Sequence, residues 1–94
     1  MKIRSVAHKP LRRLYAEDVT TGLPPEAVDK LRKMLAFLQD AQDVEMLRAL
    51  PTWKAHVLTG RRKGAWSLHV TRNWRLTFRV ECDEIHEVNL EDYH

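Results

Sequence analysis

The hydrophobic pattern of this 94-residue chain changes its period at Pro51, and the fold must accommodate both halves. After Pro51, apolar and polar residues alternate in two runs, at positions 66–70 and 74–80. Such alternation is typical of strands that bury one face. The residues between the runs predict a tight hairpin loop, in which Asn73 can adopt a positive φ. Further strands are predicted at 53–58, at 85–90 and, near the N-terminus, at 3–7.

The residues before Pro51 have helical spacing instead. Pro10 can open one helix and the segment 24–26 (PPE) another, because proline needs no N–H at the first helical position. In the second helix, apolar residues recur every three or four positions over residues 27–38, which predicts one buried face. Asp43 is expected to cap one further short helix that ends before Pro51.

Helices followed by a strand meander predict a single α+β domain over residues 1–94. In this fold, two to three N-terminal helices pack on a small twisted antiparallel β-sheet. The helices would cover one face of that sheet. The other face would carry His69, Arg75, Thr77 and Arg79, and it would be open to a partner.

The composition predicts a cytoplasmic protein without a disulfide framework, a membrane span or a cofactor. Cys82 is the single cysteine, and no apolar run approaches the roughly 18 residues that a spanning helix needs. The pair Cys82 and His86 has a permissible metal-ligand spacing, but no second close pair completes a metal site. Cys82 also lies in an acidic turn, which disfavours the thiolate that a nucleophile needs.

The formal net charge of +3 conceals a separation of charges along the chain. Residues 49–80 contain seven Lys and Arg and no Asp or Glu, whereas residues 81–94 contain six Asp and Glu and no Lys or Arg. The basic block indicates a polyanionic partner. Alternatively, it is a solvated face that the acidic residues of the same fold neutralise, and the charge pattern favours neither interpretation.

Three consecutive cations stand between two glycines in the segment 60–64 (GRRKG), which we name the basic loop. Glycines let backbone N–H groups approach a phosphate, and the cations attract it. A loop that needs glycine turns and happens to be basic would have the same sequence. The residues predicted to bind a polyanion are Lys54, Arg61, Arg62, Lys63, Arg72 and Arg79.

Arg75 is the first candidate for catalysis. It lies on the polar face of a predicted strand, between Trp74 and Leu76. A guanidinium fixed there can bind one phosphate and stabilise charge that develops on it. The alternative is an intramolecular ion pair with Glu87 or Glu91.

The chain ends on three side chains that handle protons, Asp92, Tyr93 and His94. If the last strand holds this end against the sheet, all three reach the basic face. His94 can then transfer protons near neutral pH, and Tyr93 can stack on a base or donate a hydrogen bond. His56, just before the basic loop, is a second candidate for proton transfer.

The most specific motifs are residues 56–67 (HVLTGRRKGAWS), 73–79 (NWRLTFR) and 88–94 (VNLEDYH). The first is similar to the pattern H-x-L-K-G-x-x-x-G-x-W-S of HigB toxins in the RelE/ParE superfamily, also described as plasmid-maintenance killer proteins. The resemblance covers essentially the whole chain. Thr59 departs from the pattern, because many members have lysine there. The missing cation weakens phosphate binding unless a cation of the basic loop reaches into the site.

The resemblance implies helices packed on a small antiparallel sheet and the activity of a ribosome-dependent mRNA endonuclease. The basic residues named above would then contact RNA and the ribosome, at the 30S decoding site with its ribosomal RNA. A helix-turn-helix antitoxin of the HigA type would be the protein partner, and operator DNA would be contacted only through the antitoxin complex. The site residues that the resemblance implies are His56, Arg75, Asp92, Tyr93 and His94.

Cleavage is expected to need no metal and to proceed by attack of a ribose 2′-OH on its own 3′-phosphate. His94 and Asp92 are expected to form the proton-transfer pair, with His56 as a substitute for either. Arg75 would stabilise the charge on the phosphate, while Tyr93 would orient a base or the hydroxyl.

Two other functions remain open at this point. A non-catalytic ParE-like toxin of the same fold would bind a protein target such as DNA gyrase, and residues 92–94 would be dispensable. A plain RNA- or DNA-binding module would bind naked nucleic acid with a steep salt dependence and would cut nothing.

Overall fold

A computed structural model describes residues 1–93 of the chain. The helices are α1 (Lys9–Glu17) and α2 (Val28–Asp40), and the strands are β1 (Lys2–Ile3), β2 (His56–Val57), β3 (Ala65–His69), β4 (Trp74–Glu81) and β5 (Glu84–Asp92). Short 3₁₀ helices lie at Pro25–Ala27, Val44–Ala49, Pro51–Trp53 and Gly60–Arg62. The predicted α+β fold is therefore confirmed, and the change of period at Pro51 separates the helices from the meander. In the described part of the chain, no helix is long and apolar enough to cross a membrane.

Within residues 1–93, five strands form one sheet in the order β1-β5-β4-β3-β2. The β2–β3, β3–β4 and β4–β5 pairings are antiparallel, as the meander predicts. β1 instead lies parallel to β5, so the expectation of a purely antiparallel sheet is wrong at this edge. The reason is that helices, and not a hairpin turn, connect β1 to the meander, so no turn fixes its direction.

The β4–β5 hairpin turns at residues 82–83. Cys82 and Asp83 have φ values of 52° and 60°, which is the left-handed pair of a two-residue type I′ loop. The positive φ that Asn73 can adopt is not used in the β3–β4 loop. Among the described residues, Asn73 is not one of those with positive φ, and its N–H donates to Thr71 Oγ1 at 3.3 Å.

A bulge in β5 adjusts the strand to the core. The register shifts between Thr77 and Arg79 of β4, and Glu87 opposite them has a φ of 56°. The N–H of Glu87 donates to Ser5 Oγ at 2.8 Å, so the segment after β1 satisfies the backbone group that the bulge frees. Because of the extra residue, Ile85 and Val88 are both fully buried, although strict alternation would place them on opposite faces.

The helices cover one face of the sheet, where the core lies. Leu31, Met34 and Leu38 of α2 are fully buried, as is Leu11 of α1. On the sheet side, the fully buried residues of this cluster include Leu68, Leu76, Phe78, Ile85 and Val88. The N-terminal ammonium donates to the carbonyls of Leu38 and Gln39, both at 3.0 Å, at the C-terminal end of α2. A positive charge there complements the helix dipole.

The other face is less open than the sequence predicts. Ser67 and Thr77 lie at its centre and are 0% and 2% exposed. Arg62 extends from the basic loop over this region, and its Nη2 lies 3.4 Å from Thr77 Oγ1. The basic loop therefore docks on the sheet, a long-range contact that the alternation of a single strand does not encode.

We predict that the cap of α1 makes the fold sensitive to acid. The N–H of Leu11 donates to Nδ1 of His8 at 3.2 Å, and burial lowers the pKa of His8 below its ordinary value of 6.5. Because the folded state favours the neutral ring, the unfolded state binds more protons below pH 6.5, and stability falls as the pH is lowered from there. Urea denaturation of wild type and His8→Asn at several pH values measures this, since asparagine caps without titrating.

In that experiment, His8→Asn should lose less stability than wild type between pH 7 and the acid range. His8→Ala should lose about 0.5–2 kcal/mol at pH 7, because it lacks the cap. Parallel pH profiles for wild type and His8→Asn would contradict the prediction.

Candidate active site

The sheet register places a row of polar side chains on the face opposite the helices. His69 of β3 pairs with Arg75 of β4, and Arg75 pairs with Glu91 of β5. The neighbouring row contains Ser67 and Thr77, which also pair directly. Since side chains two residues apart share a face, both rows lie on one surface, which we name the polar face.

Arg75 is held in the middle of this surface. Its side chain is 24% exposed, and its Nη2 lies 3.6 Å from Glu91 Oε1. Its Cζ lies 5.7 Å from the centre of the Tyr93 ring, within the range of a cation–π contact. The ion pair with Glu91 confirms one of the alternatives from the sequence, but at this distance it is not a short hydrogen bond. The guanidinium is thus fixed in place and keeps N–H donors for an anion.

Tyr93 is held against the sheet at two points. Its N–H donates to the carbonyl of Asn73 at 3.0 Å, and its hydroxyl lies 3.1 Å from Nδ1 of His69. The two rings are 5.8 Å apart, centre to centre. These contacts hold Tyr93 on the polar face, as its predicted role requires.

Electrostatics favour a neutral ring at His69. Burial lowers its pKa below 6.5, and the positive charges of Lys54 and Lys30 lower it further. A neutral imidazole has one ring nitrogen that can accept a hydrogen bond. Nδ1 can therefore accept from the hydroxyl of Tyr93.

Of the other predicted catalytic residues, His56 and Asp92 lie within the described part of the chain. His56 is exposed on β2, and its Nδ1 lies 2.9 Å from the carbonyl oxygen of Lys54. It pairs with Ser67, so it lies on the polar face in the row next to that of Arg75. Asp92 pairs with Trp74 at the end of β5, so alternation places it on the face opposite Glu91. His94 lies outside the described residues.

Glu91 joins the polar face to the basic loop. Both terminal nitrogens of Arg62 donate to its carboxylate oxygens, and the hydroxyl of Thr77 donates to the same group. The hydrogen bond from Arg62 is the main reason that the pKa of Glu91 lies below its ordinary value, and burial opposes it. The sequence predicts that Arg62 binds a polyanion, whereas the structure places its guanidinium in an intramolecular ion pair.

Most of the other basic candidates are exposed to solvent. Lys54, Arg61, Lys63 and Arg72 are exposed, and Arg79 is half-buried with its Nε 3.9 Å from Glu81. The basic loop begins and ends in the left-handed region, with φ of +73° at Gly60 and +93° at Gly64, and both glycines face open space. Their role is conformational, since a side chain would fit but the backbone would be strained.

A cavity of about 300 Å³ opens on the polar face beside the ion pair of Arg62 and Glu91. Thr77, Arg79 and Asn89 also line it. Hydroxyl, guanidinium and amide groups in such a recess can bind phosphate or the edge of a base. Within residues 1–93, no group of three or more His, Cys, Asp and Glu side chains could hold a metal ion.

His69 and Glu91 are the residues to which the sequence analysis gave no catalytic role. The alternation of β3 predicts His69 on the polar face, and Glu91 enters the sequence prediction only as a possible ion-pair partner of Arg75. Their positions follow from the register of three strands, which alternation within each strand does not determine. The one signal in the sequence is that His69 and Arg75 are equally far from the centre of the β3–β4 loop; the bulge in β5 removes this symmetry for Arg75 and Glu91.

Comparison with known proteins gives one family. A family model described as a RelE-like toxin of the type II toxin–antitoxin system HigB matches residues 4–94. The protein named Endoribonuclease HigB from Proteus vulgaris is 38% identical over 93 residues, which span 98% of this chain and 99% of that protein.

Two solved structures show the same fold at low sequence identity. The YoeB/ParE toxin from Agrobacterium tumefaciens has a TM-score of 0.59 and 16% identity, and the match covers 100% of both chains. The E. coli DinJ-YafQ toxin-antitoxin complex contains a chain with a TM-score of 0.55 and 16% identity, matched over 96% of this chain and 92% of that chain.

We predict that Arg62 and Glu91 are energetically coupled. In a double-mutant cycle with Arg62→Met and Glu91→Gln, urea denaturation at pH 7 should give a coupling free energy of about 1 kcal/mol. We expect no more than this because the Arg62 side chain is 43% exposed, so that solvent screens the pair. The matched exposed pair Arg48 and Glu45 should give a smaller value. Equal coupling in the two pairs would contradict the docking of the basic loop.

Proposed function

Because this chain belongs to the HigB-like family of RelE-like toxins from type II toxin–antitoxin systems, we propose that it is an endoribonuclease that cleaves mRNA on the ribosome. The observation that carries this proposal is the contact of Arg75 with Tyr93 on the polar face. This contact supplies a fixed cation and an aromatic ring side by side. The 38% identical protein from Proteus vulgaris is named an endoribonuclease, which supports the same activity here.

The reaction we propose is attack of a ribose 2′-oxygen on the adjacent 3′-phosphorus. The O2′–P bond forms as the P–O5′ bond breaks, which gives a cyclic 2′,3′-phosphate and a free 5′-hydroxyl. One group takes the proton of the 2′-OH and another protonates the departing 5′-oxygen. The requirement for the 2′-OH restricts the reaction to RNA.

Arg75 is suited to stabilise the negative charge that builds on the phosphate oxygens. Its guanidinium is only 24% exposed, so the interaction with an anion is screened less than it would be at an open surface. Its ion pair with Glu91 is 3.6 Å long, and a phosphate can compete for the remaining donors. Tyr93 lies beside it and presents a ring on which an unstacked base can stack.

We assign the two proton transfers to His94 and His56, since Asp92, the other candidate from the sequence, lies on the face of the sheet opposite Arg75. This assignment rests on the matching motifs of the sequence and on the chemistry of the side chains. The exposed position of His56 next to the basic loop leaves its ring accessible to RNA. General acid–base catalysis typically contributes about 10² to 10⁴ in rate, so positioning of the RNA must supply the rest.

The ribosome is the natural source of that positioning. Single-stranded mRNA is flexible, and in-line attack needs the 2′-oxygen, the phosphorus and the 5′-oxygen in one geometry. The exposed cations Lys54, Arg61 and Lys63 suit phosphates of mRNA or ribosomal RNA. Cleavage of translated mRNA places the protein in the cytoplasm.

An antitoxin is the protein partner that the family implies. We propose a HigA-like helix-turn-helix protein, which would also make the contacts with operator DNA. The structurally similar YafQ is found in a complex with DinJ, which shows that a toxin of this fold can be bound by an antitoxin.

Mapping of mRNA cleavage with purified protein, with and without ribosomes, tests the proposed function. Cuts are expected only in the presence of translating ribosomes, because the free RNA is not held in the in-line geometry. Toxicity with intact mRNA and continued translation would favour a ParE-like toxin with a protein target. Salt-sensitive binding of naked RNA without any cut would favour a plain RNA-binding module.

We further predict that Arg75→Ala slows ribosome-dependent cleavage by about 10²- to 10³-fold, because the charge on the phosphate loses its donor. Arg13→Ala is the matched control, since Arg13 is an exposed arginine on α1. It should cleave at the wild-type rate. Circular dichroism should show that both variants fold. A folded Arg75→Ala protein that cleaves as fast as Arg13→Ala would refute the role of Arg75.

A further inference from the structure

His69 contacts the side chain of Tyr93. Its Nδ1 is 3.1 Å from the Tyr93 hydroxyl, and the two rings are tilted by 37° at a centre distance of 5.8 Å. His69 is also the direct β3 neighbour of Arg75 in the sheet. His69 therefore contacts Tyr93 and is also the strand neighbour of Arg75, whose guanidinium lies near the Tyr93 ring.

We propose that His69 is a positioning residue of the nuclease site, which fixes the ring of Tyr93 beside Arg75 by accepting a hydrogen bond from the phenol hydroxyl. The inference rests on the proposed function, because the position of Tyr93 matters for cleavage only if the chain cleaves RNA. It extends that function to a residue outside the motifs on which the function was assigned.

The contacts of Tyr93 explain why such a support is needed. Tyr93 follows the end of β5, where the ladder of strand hydrogen bonds stops, and it is 40% exposed. Its backbone has one hydrogen bond, to Asn73, which fixes the main chain but leaves the side-chain torsions free. The bond to His69 fixes the far end of the ring. The backbone and side-chain hydrogen bonds together determine the orientation of the Tyr93 ring, whereas the backbone bond alone does not.

A neutral ring at His69 defines which group donates and which accepts in the hydrogen bond with Tyr93. With the ring proton on Nε2, Nδ1 accepts and the Tyr93 O–H points at the histidine. The phenol oxygen then keeps its lone pairs for a donor from the RNA, such as a ribose hydroxyl. Lys54 and Lys30, which lower the pKa of His69, favour this arrangement over an imidazolium that could only donate.

Cleavage by His69→Leu and His69→Asn on translating ribosomes tests the proposal. Leucine fills the space without an acceptor. In asparagine, the amide oxygen Oδ1 is bonded to Cγ, as Nδ1 is in histidine, so it can accept the same hydrogen bond. We expect His69→Leu to lose about tenfold to a hundredfold in single-turnover rate, with little change in the protein concentration that gives half-maximal rate. His69→Asn should recover most of the loss. His86→Leu is the control, since His86 is a half-buried histidine of the same sheet.

Nitrogen NMR provides a readout that does not depend on activity. In the wild-type protein the Nδ1 resonance of His69 should be that of a neutral, hydrogen-bonded acceptor, and Tyr93→Phe should shift it. Thermal unfolding of all variants checks that they fold.

The possible outcomes are distinct. A wild-type protein that cuts no mRNA overturns the proposed function and the catalytic part of this inference with it. A wild-type protein that cuts while folded His69→Leu cuts equally fast, or while His69→Asn is as slow as His69→Leu, overturns this inference alone. An Nδ1 resonance of His69 that does not respond to Tyr93→Phe also overturns it.

Discussion

The pairing register of β4 with β5 is the constraint on which the rest of the molecule depends. A slip of one residue would move every side chain of β5 to the other face of the sheet. The turn at 82–83 sets one end of this register, and the bulge at Glu87 corrects it halfway along. With both in place, Val88 completes the core while Glu91 comes opposite Arg75. The same backbone geometry thus builds the hydrophobic core and the candidate site, so neither can be changed without the other.

Charges that the sequence separates are brought together on the polar face. Glu91, from the acidic end of the chain, neutralises Arg62 of the basic loop and lies near Arg75. Arg61 and Lys63, on either side of Arg62, stay exposed. The interpretation of the basic block as internally neutralised therefore applies to Arg62, and its neighbours keep their charge for a partner. The carboxylate of Glu91 thus pairs with Arg62 and holds it on the sheet, whereas Arg61 and Lys63 face the solvent.

Much of this arrangement can be predicted from the sequence, and the exceptions have a common cause. Local patterns predict α2 from its apolar spacing, β3 and β4 from their alternation, and the delivery of Tyr93 to the polar face. The parallel direction of β1, the docking of Arg62 and the contact of His69 with Tyr93 were not predicted. Each of these depends on residues far apart in the chain, whose relative placement follows from the packing of the whole domain and not from any local period.

The order of the strands has a consequence for how the protein is made. β5 leaves the ribosome after the other four strands described here, yet it lies between β1 and β4 in the folded sheet. β1 therefore cannot pair with β5 until β5 has been synthesised. The pairing of Ile3 with Ile85 then closes a very long loop of the chain. A shortened chain that ends before β5 would lack both a central strand and Glu91. A translation product that stops before β5 would therefore lack the assembled polar face.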